Sequence, residues 1–118
     1  MSYVTGYLAA AKSTDRERFR RSSEASWPIF KRLGALALVE NWGVDVPEGK
    51  ITSFPLALKL KDDESVVFSW VVWPDRATCD AAWQAMQTDP EMEGMDMPFD
   101  MERMVYGGFE TIFTAHVS

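Results

Sequence analysis

The chain has 118 residues, 47% of them hydrophobic, 25% charged and 13% aromatic. That composition supports one well-packed domain spanning residues 1–118 and excludes a disordered polypeptide. A net charge of −6 and a pI near 4.7 exclude nucleic acid and anionic membrane surfaces as main partners. No apolar run approaches the roughly 18 residues of a membrane span, and the N-terminal residues show no signal-peptide pattern. One cysteine cannot form an internal disulfide, which fits a cytoplasmic location.

In chain order, the first predicted element is a strand from Tyr3 to Ala11. Thr14-Asp15-Arg16-Glu17 then has the S/T-x-x-E form of a capping box and predicts a helix to about Leu33. Phe19, Ser23, Trp27, Phe30 and Leu33 share one stripe of that helix, with Pro28 expected to bend it and Gly34 to end it. The helix is also basic. Residues 1–32 hold seven Lys/Arg against three Asp/Glu, and residues 33–118 five against fifteen. Arg16, Arg18, Arg20 and Arg21 therefore form a solvated face, a basic face for an anionic partner, or a contact for the acidic remainder within or between subunits.

Residues 35–42 predict a second strand and residues 43–53 a loop. Phe54 to Lys61 alternates loosely and, with the acidic turn Asp62-Asp63-Glu64-Ser65, predicts a hairpin leading into a strand at Val66–Trp73. Pro74-Asp75 opens a helix with an apolar stripe of Cys79, Ala82, Trp83 and Met86, ended by Asp89-Pro90. An acidic, Met-rich stretch runs to Met104, and Val105–Thr114 predicts the last strand.

This order, βαβ, a hairpin strand, then αβ, is that of an α+β ferredoxin-like domain with an extra hairpin strand. Such a sheet carries helices on one face and ordinarily turns a polar face outward. Here both faces of the Val66–Trp73 strand are apolar: Val66, Phe68, Trp70 and Val72 on one, Val67, Val71 and Trp73 around Ser69 on the other. The simplest cover for the second face is a second copy, which predicts a homodimer built as a dimeric α/β barrel.

The strings VENWGVDVPEGKITSF (39–54), ESVVFSWVVWPDRAT (64–78) and MPFD-x-x-RM-x-YGGFE (97–110), with YVTGY at 3–7, resemble the YbaA-like family, domain of unknown function 1428. The resemblance implies a dimeric α/β-barrel fold and no established activity. In the family's pattern a cysteine often stands at the position of Asn41, and Gly-Lys at Met101-Glu102. The first departure weakens a catalytic thiol and the second reverses a charge beside Arg103. Some family members carry a label linking them to signal-recognition-particle RNA, which the acidic pI here does not support.

The sequence shows no nucleophilic triad or Cys-His pair, because Cys79 lies on an apolar stripe and His116 is the only histidine. Zinc lacks its usual ligands, so no metal or cofactor is expected. Residues 89–100 place acids at positions 1, 3, 5 and 12 of a calcium-type loop with Gly94 at position 6. Pro98, a charge at position 8 and Asp in place of Glu at position 12 argue against it. The five methionines at 92, 95, 97, 101 and 104 fill the gap between loop and barrel, with a soft lid or a thioether copper site as the functional alternatives.

The candidate ligand-binding residues are polar groups set among large aromatics: Glu40, Trp42, Ser69, Trp70, Asp100, Arg103 and Tyr106. Glu40 shares a strand face with Leu36, Leu38 and Trp42, so its carboxylate needs a partner, for which Arg103 and Lys50 are the candidates. That pair is either structural or part of a cleft, in which Arg103 binds a carboxylate and Tyr106 positions a phenol or quinone. The leading reading is a binder of a small aromatic or anionic metabolite. The alternatives are a cofactor-independent monooxygenase or isomerase of the antibiotic-biosynthesis type, with Glu40 or Asp100 as proton acceptor, and a purely structural or interaction protein.

Overall fold

A computed structural model describes residues 2–117. Its four strands are β1 (Tyr3–Lys12), β2 (Ala37–Trp42), β3 (Glu64–Trp73) and β4 (Val105–Glu110). They form one antiparallel sheet in the order β2-β3-β1-β4. The two long helices are α1 (Arg16–Arg32) and, after the five-residue α2 (Phe54–Leu58), α3 (Arg76–Gln87). A single turn, α4 (Pro90–Glu93), follows. The fold is α+β and ferredoxin-like, as the order of elements predicts.

Local chemistry accounts for most boundaries. Gly34 ends α1 at φ +105°, a conformation that disfavours side chains. Asp75 caps α3 by accepting from the Thr78 amide at 2.7 Å. α1 begins differently from the expected capping box. Ser13–Asp15 form a 3₁₀ turn, no side chain caps the helix, and Glu17 accepts from Arg20 instead of reaching back. The last strand stops at Glu110 and not Thr114 because its sole neighbour, β1, begins opposite it at Tyr3.

The extra hairpin strand does not form. Ser53 accepts from the Leu56 amide at 3.0 Å, Pro55 stands in the first turn, and Lys59 closes α2 in the left-handed region at φ 50°. The short apolar run Phe54–Leu58 thus has helical stop and start signals that outweigh its loose alternation. Leu58 is fully buried, and the turn packs beside β1 and β3.

Trp73, Val71, Ile29, Phe30, Cys79 and Ala82 make the main core between the sheet and its helices. Its polar atoms are paired: the Trp73 indole donates to the Thr5 hydroxyl at 3.1 Å, and that hydroxyl lies 3.4 Å from the Cys79 sulfur. A second cluster joins Ala9, Ala11, Phe19 and Val67. The opposite face carries Val4 and Leu8 of β1, Val39 of β2, Trp70 of β3 and Val105 of β4, with Asn41 its polar member on β2. Neither long helix lies over it; α2 meets only one end, where Phe54 packs on Phe68 at 5.8 Å between ring centres, and Phe68 and Phe109 stay 44% and 60% exposed.

Arg103 does not meet Glu40. Its guanidinium donates to both oxygens of Glu64, at 2.8 and 2.6 Å, to Asp100 at 2.7 Å, and to the carbonyls of Leu58 and Lys59 that end α2. Only 18% of its side chain is exposed and 9% of Glu64's. Hydrogen bonding from Arg103 foremost holds the carboxyls of Glu64 and Asp100 below their usual range. Such a carboxylate adds stability above its unfolded pKa, about 4, and loses it as pH falls through its folded value. Arg103→Met should therefore lower the melting temperature at pH 7 by about 5–10 °C and flatten the loss of stability below pH about 4. Arg20→Met, on an exposed ion pair, should move it by about 2 °C or less. Calorimetry of the two variants giving equal shifts would contradict this.

Candidate functional site

The helix-covered face of the sheet is not completely filled. A cavity of about 230 Å³ lies between α1, the sheet and the Met-rich segment that follows α3. Its floor comes from alternate residues of three strands: Tyr7 and Ala9 of β1, Leu38 and Glu40 of β2, Ser69 and Val71 of β3. Register explains this convergence, since Glu40 stands opposite Ser69 and Tyr7 opposite the same Ser69 on the other side. One side of α1 forms the wall, where Phe19, Ser22, Ser23, Ser26 and Phe30 recur at helical spacing. Trp83 of α3 adds an aromatic edge, 6.3 Å from the rings of both Tyr7 and Phe30.

All five clustered methionines, Met92, Met95, Met97, Met101 and Met104, line the cavity. The segment that carries them is fastened by its acids. Arg32 of α1 pairs with Asp89 and Glu91, and Arg18, nearly four turns earlier, forms two hydrogen bonds of 2.6 and 2.7 Å with Asp96. Ser22 donates to the Asp96 carbonyl, and the Asp100 amide donates to the carbonyl of Ala10 at 3.0 Å. The basic helix and acidic loop thus meet within one chain. These pairings engage Asp89, Glu91 and Asp96 of the calcium-like loop, and among the described residues no three potential ligands cluster for a metal.

Among the described residues, Glu40 is the only charged one on the cavity wall. Its carboxylate accepts a hydrogen bond from Ser23, whereas Lys50, its other sequence candidate, is exposed in the loop before α2. Burial foremost, then the neighbouring Cys79 and Glu40, pushes the Tyr7 phenol far above its ordinary pKa, so its hydroxyl stays protonated.

Of the seven candidates, Glu40 and Ser69 meet in the cavity. Trp42 lies on the same sheet face but packs on Phe19, with ring centres 6.0 Å apart. Trp70 projects from the open face, 5.4 Å from Phe68. Asp100 and Arg103 serve the ion network at α2, and Tyr106 is 70% exposed on the edge strand. Tyr7, Ser22, Ser26 and Trp83 were not among the candidates. The available signal was the stripe of small hydroxyl residues between Phe19 and Phe30, where a filled interface would carry bulkier side chains.

Residues 2–101 match the family described as Protein of unknown function (DUF1428). The protein YbaA of Escherichia coli K12, itself described as uncharacterized, is 46% identical over 114 residues, 95% of this chain and 97% of YbaA. The chain belongs to the DUF1428 family. A dimeric ferredoxin-like protein from an uncultured marine organism superposes on this DUF1428 chain with TM-score 0.58 at 15% identity, covering 98% of this chain and 100% of the other. SnoaB, a cofactor-independent oxygenase from Streptomyces nogalater, does so with TM-score 0.56 at 16% identity and 95% of both chains. At these identities the likeness establishes a common fold for this DUF1428 protein.

Glu40 sets a carboxylate on a strand face shared with Leu38 and Trp42, with one hydrogen bond, from Ser23, to offset its partial burial. Glu40→Leu should raise the melting temperature of this DUF1428 protein by about 2–5 °C, read by calorimetry. A loss of similar size would make Glu40 a structural residue.

Proposed function

We propose that this DUF1428 protein is a cytoplasmic homodimer that binds a small, largely apolar molecule with one ring in the cavity of each subunit. The observation that carries the reading is the cavity itself, walled by aromatics and methionines and polar at one end around Glu40. A dry apolar cavity of roughly 150 Å³ holds benzene, so about 230 Å³ accommodates a ring with a short substituent. Methionine walls adapt to ligand shape at little energetic penalty. The anionic-metabolite reading loses its cation, because Arg103 is engaged elsewhere and the wall carries a carboxylate.

The dimer is supported by the apolar open face and by the dimeric state given for the ferredoxin-like neighbour. Full burial of a residue such as Phe68 is worth about 1.5–3 kcal/mol. A stable pairing buries about 1,600 Å² in total, within reach of a four-stranded sheet. The lone buried thiol of Cys79 supports a reducing compartment. The oxygenase or isomerase alternative draws on the fold shared with SnoaB alone.

Thermal denaturation against a panel of monocyclic phenols, alcohols and amines tests the binding role. At least one compound should stabilise the protein by about 2.7 kcal/mol at a hundredfold excess over its Kd. Ser26→Phe, which puts a ring into the cavity, should abolish the shift. A panel without effect, or a shift that survives in Ser26→Phe, would overturn the proposal.

A further inference from the structure

We infer that the cavity selects an apolar amine, with its ammonium group on Glu40 and its ring among the aromatics and methionines. The inference rests on the binding role proposed above and goes further by naming the ligand's charge and head group.

The polar end of the cavity is rich in acceptors. Ser22 donates its hydroxyl proton to the Asp96 carbonyl, Ser23 to the Glu40 carboxylate, and Ser26 to the Ser23 carbonyl at 2.8 Å. A hydroxyl has one proton to give, so each of these three has only lone pairs left for a ligand. A carboxylate offers about four acceptor positions, and Ser23 occupies one of them on Glu40. An ammonium group brings three N–H donors and no acceptor, which complements this arrangement. A carboxylate ligand brings acceptors and a like charge.

Charge points the same way. Among the described residues no lysine, arginine or histidine lines the cavity, and Glu40 faces it without a cationic partner there. A charge-assisted hydrogen bond is roughly twice as strong as a neutral one. The rings of Phe19, Phe30 and Trp83 surround the same space, and aromatic faces attract cations. Tyr7 and Ser69 still provide hydroxyl groups, so a neutral alcohol can enter. It gains no ion pair.

Isothermal titration with 2-phenylethylamine, 2-phenylethanol and 3-phenylpropionate, which share a ring and differ in head group, tests the inference. Wild type should bind the amine at least about tenfold more tightly than the alcohol, and the propionate more weakly still. In Glu40→Gln, of nearly identical shape, the amine should lose about tenfold while the alcohol changes less than about threefold. Equal binding of amine and alcohol by wild type overturns the charge preference and leaves the cavity a binding site. An amine advantage that survives in Glu40→Gln overturns the role of Glu40. If none of the three binds, the inference fails, and alcohols and phenols that still stabilise the protein in the thermal panel would keep the binding role standing. The comparison of head groups in wild type stands even if the variant folds poorly.

Discussion

A four-stranded sheet that is apolar on both faces, with long helices over one and only the short α2 at an end of the other, constrains everything else in this molecule. From Val66 to Trp73 both faces of β3 are built of valine and aromatic residues, with Ser69 the one polar exception, so burial must come from above and below. α1 and α3 cover one face and build the core around Trp73 and Val71. The other face leaves Phe68, Val105 and Phe109 partly in water within one chain. A stability of about 5–15 kcal/mol leaves little margin for several such side chains left wet. The proposed second copy answers that demand with the same surface that creates it.

The cavity arises from a compromise on the covered face. α1 approaches the sheet through serines between Phe19 and Phe30, and small side chains there leave space that larger ones would fill. The space is closed by a segment with little regular structure, which needs an anchor other than sheet or helix hydrogen bonds. Arg18 and Arg32 provide it by holding Asp96, Asp89 and Glu91 along the length of α1. Exposed pairs are individually weak, so the segment is anchored at several points without being locked. A wall of unbranched methionines on such a segment can adjust to what enters.

The strands, both long helices and the two-sided apolar sheet were legible because period 2 and period 3.6 are local properties of the chain. So was the unusual position of Glu40, on an otherwise apolar strand face. Its partner was not, because a carboxylate's need for a donor says nothing about which donor folding brings near. Arg103 fits by charge, yet it is Glu64, in sequence part of the acidic turn 62–65, that opens β3 beside it. Phe54–Leu58 departs from its expected strand for a different reason. Five apolar-rich residues are too short for periodicity to decide, and the cap at Ser53 and the proline at 55 were the better signals. The methionine cluster was visible as composition, but its use as a cavity wall depends on ion pairs spanning more than 50 residues in sequence.

Sedimentation velocity of the wild-type chain beside Phe68→Asp tests the demand of the open face most directly. The wild-type chain should sediment as a species of twice the chain mass at micromolar concentration. The variant, with a charge set in the middle of that face, should fall to one chain mass while its far-ultraviolet circular dichroism remains that of a folded protein. A wild-type protein sedimenting as a single chain, or a variant that stays fully dimeric, would contradict pairing through that face.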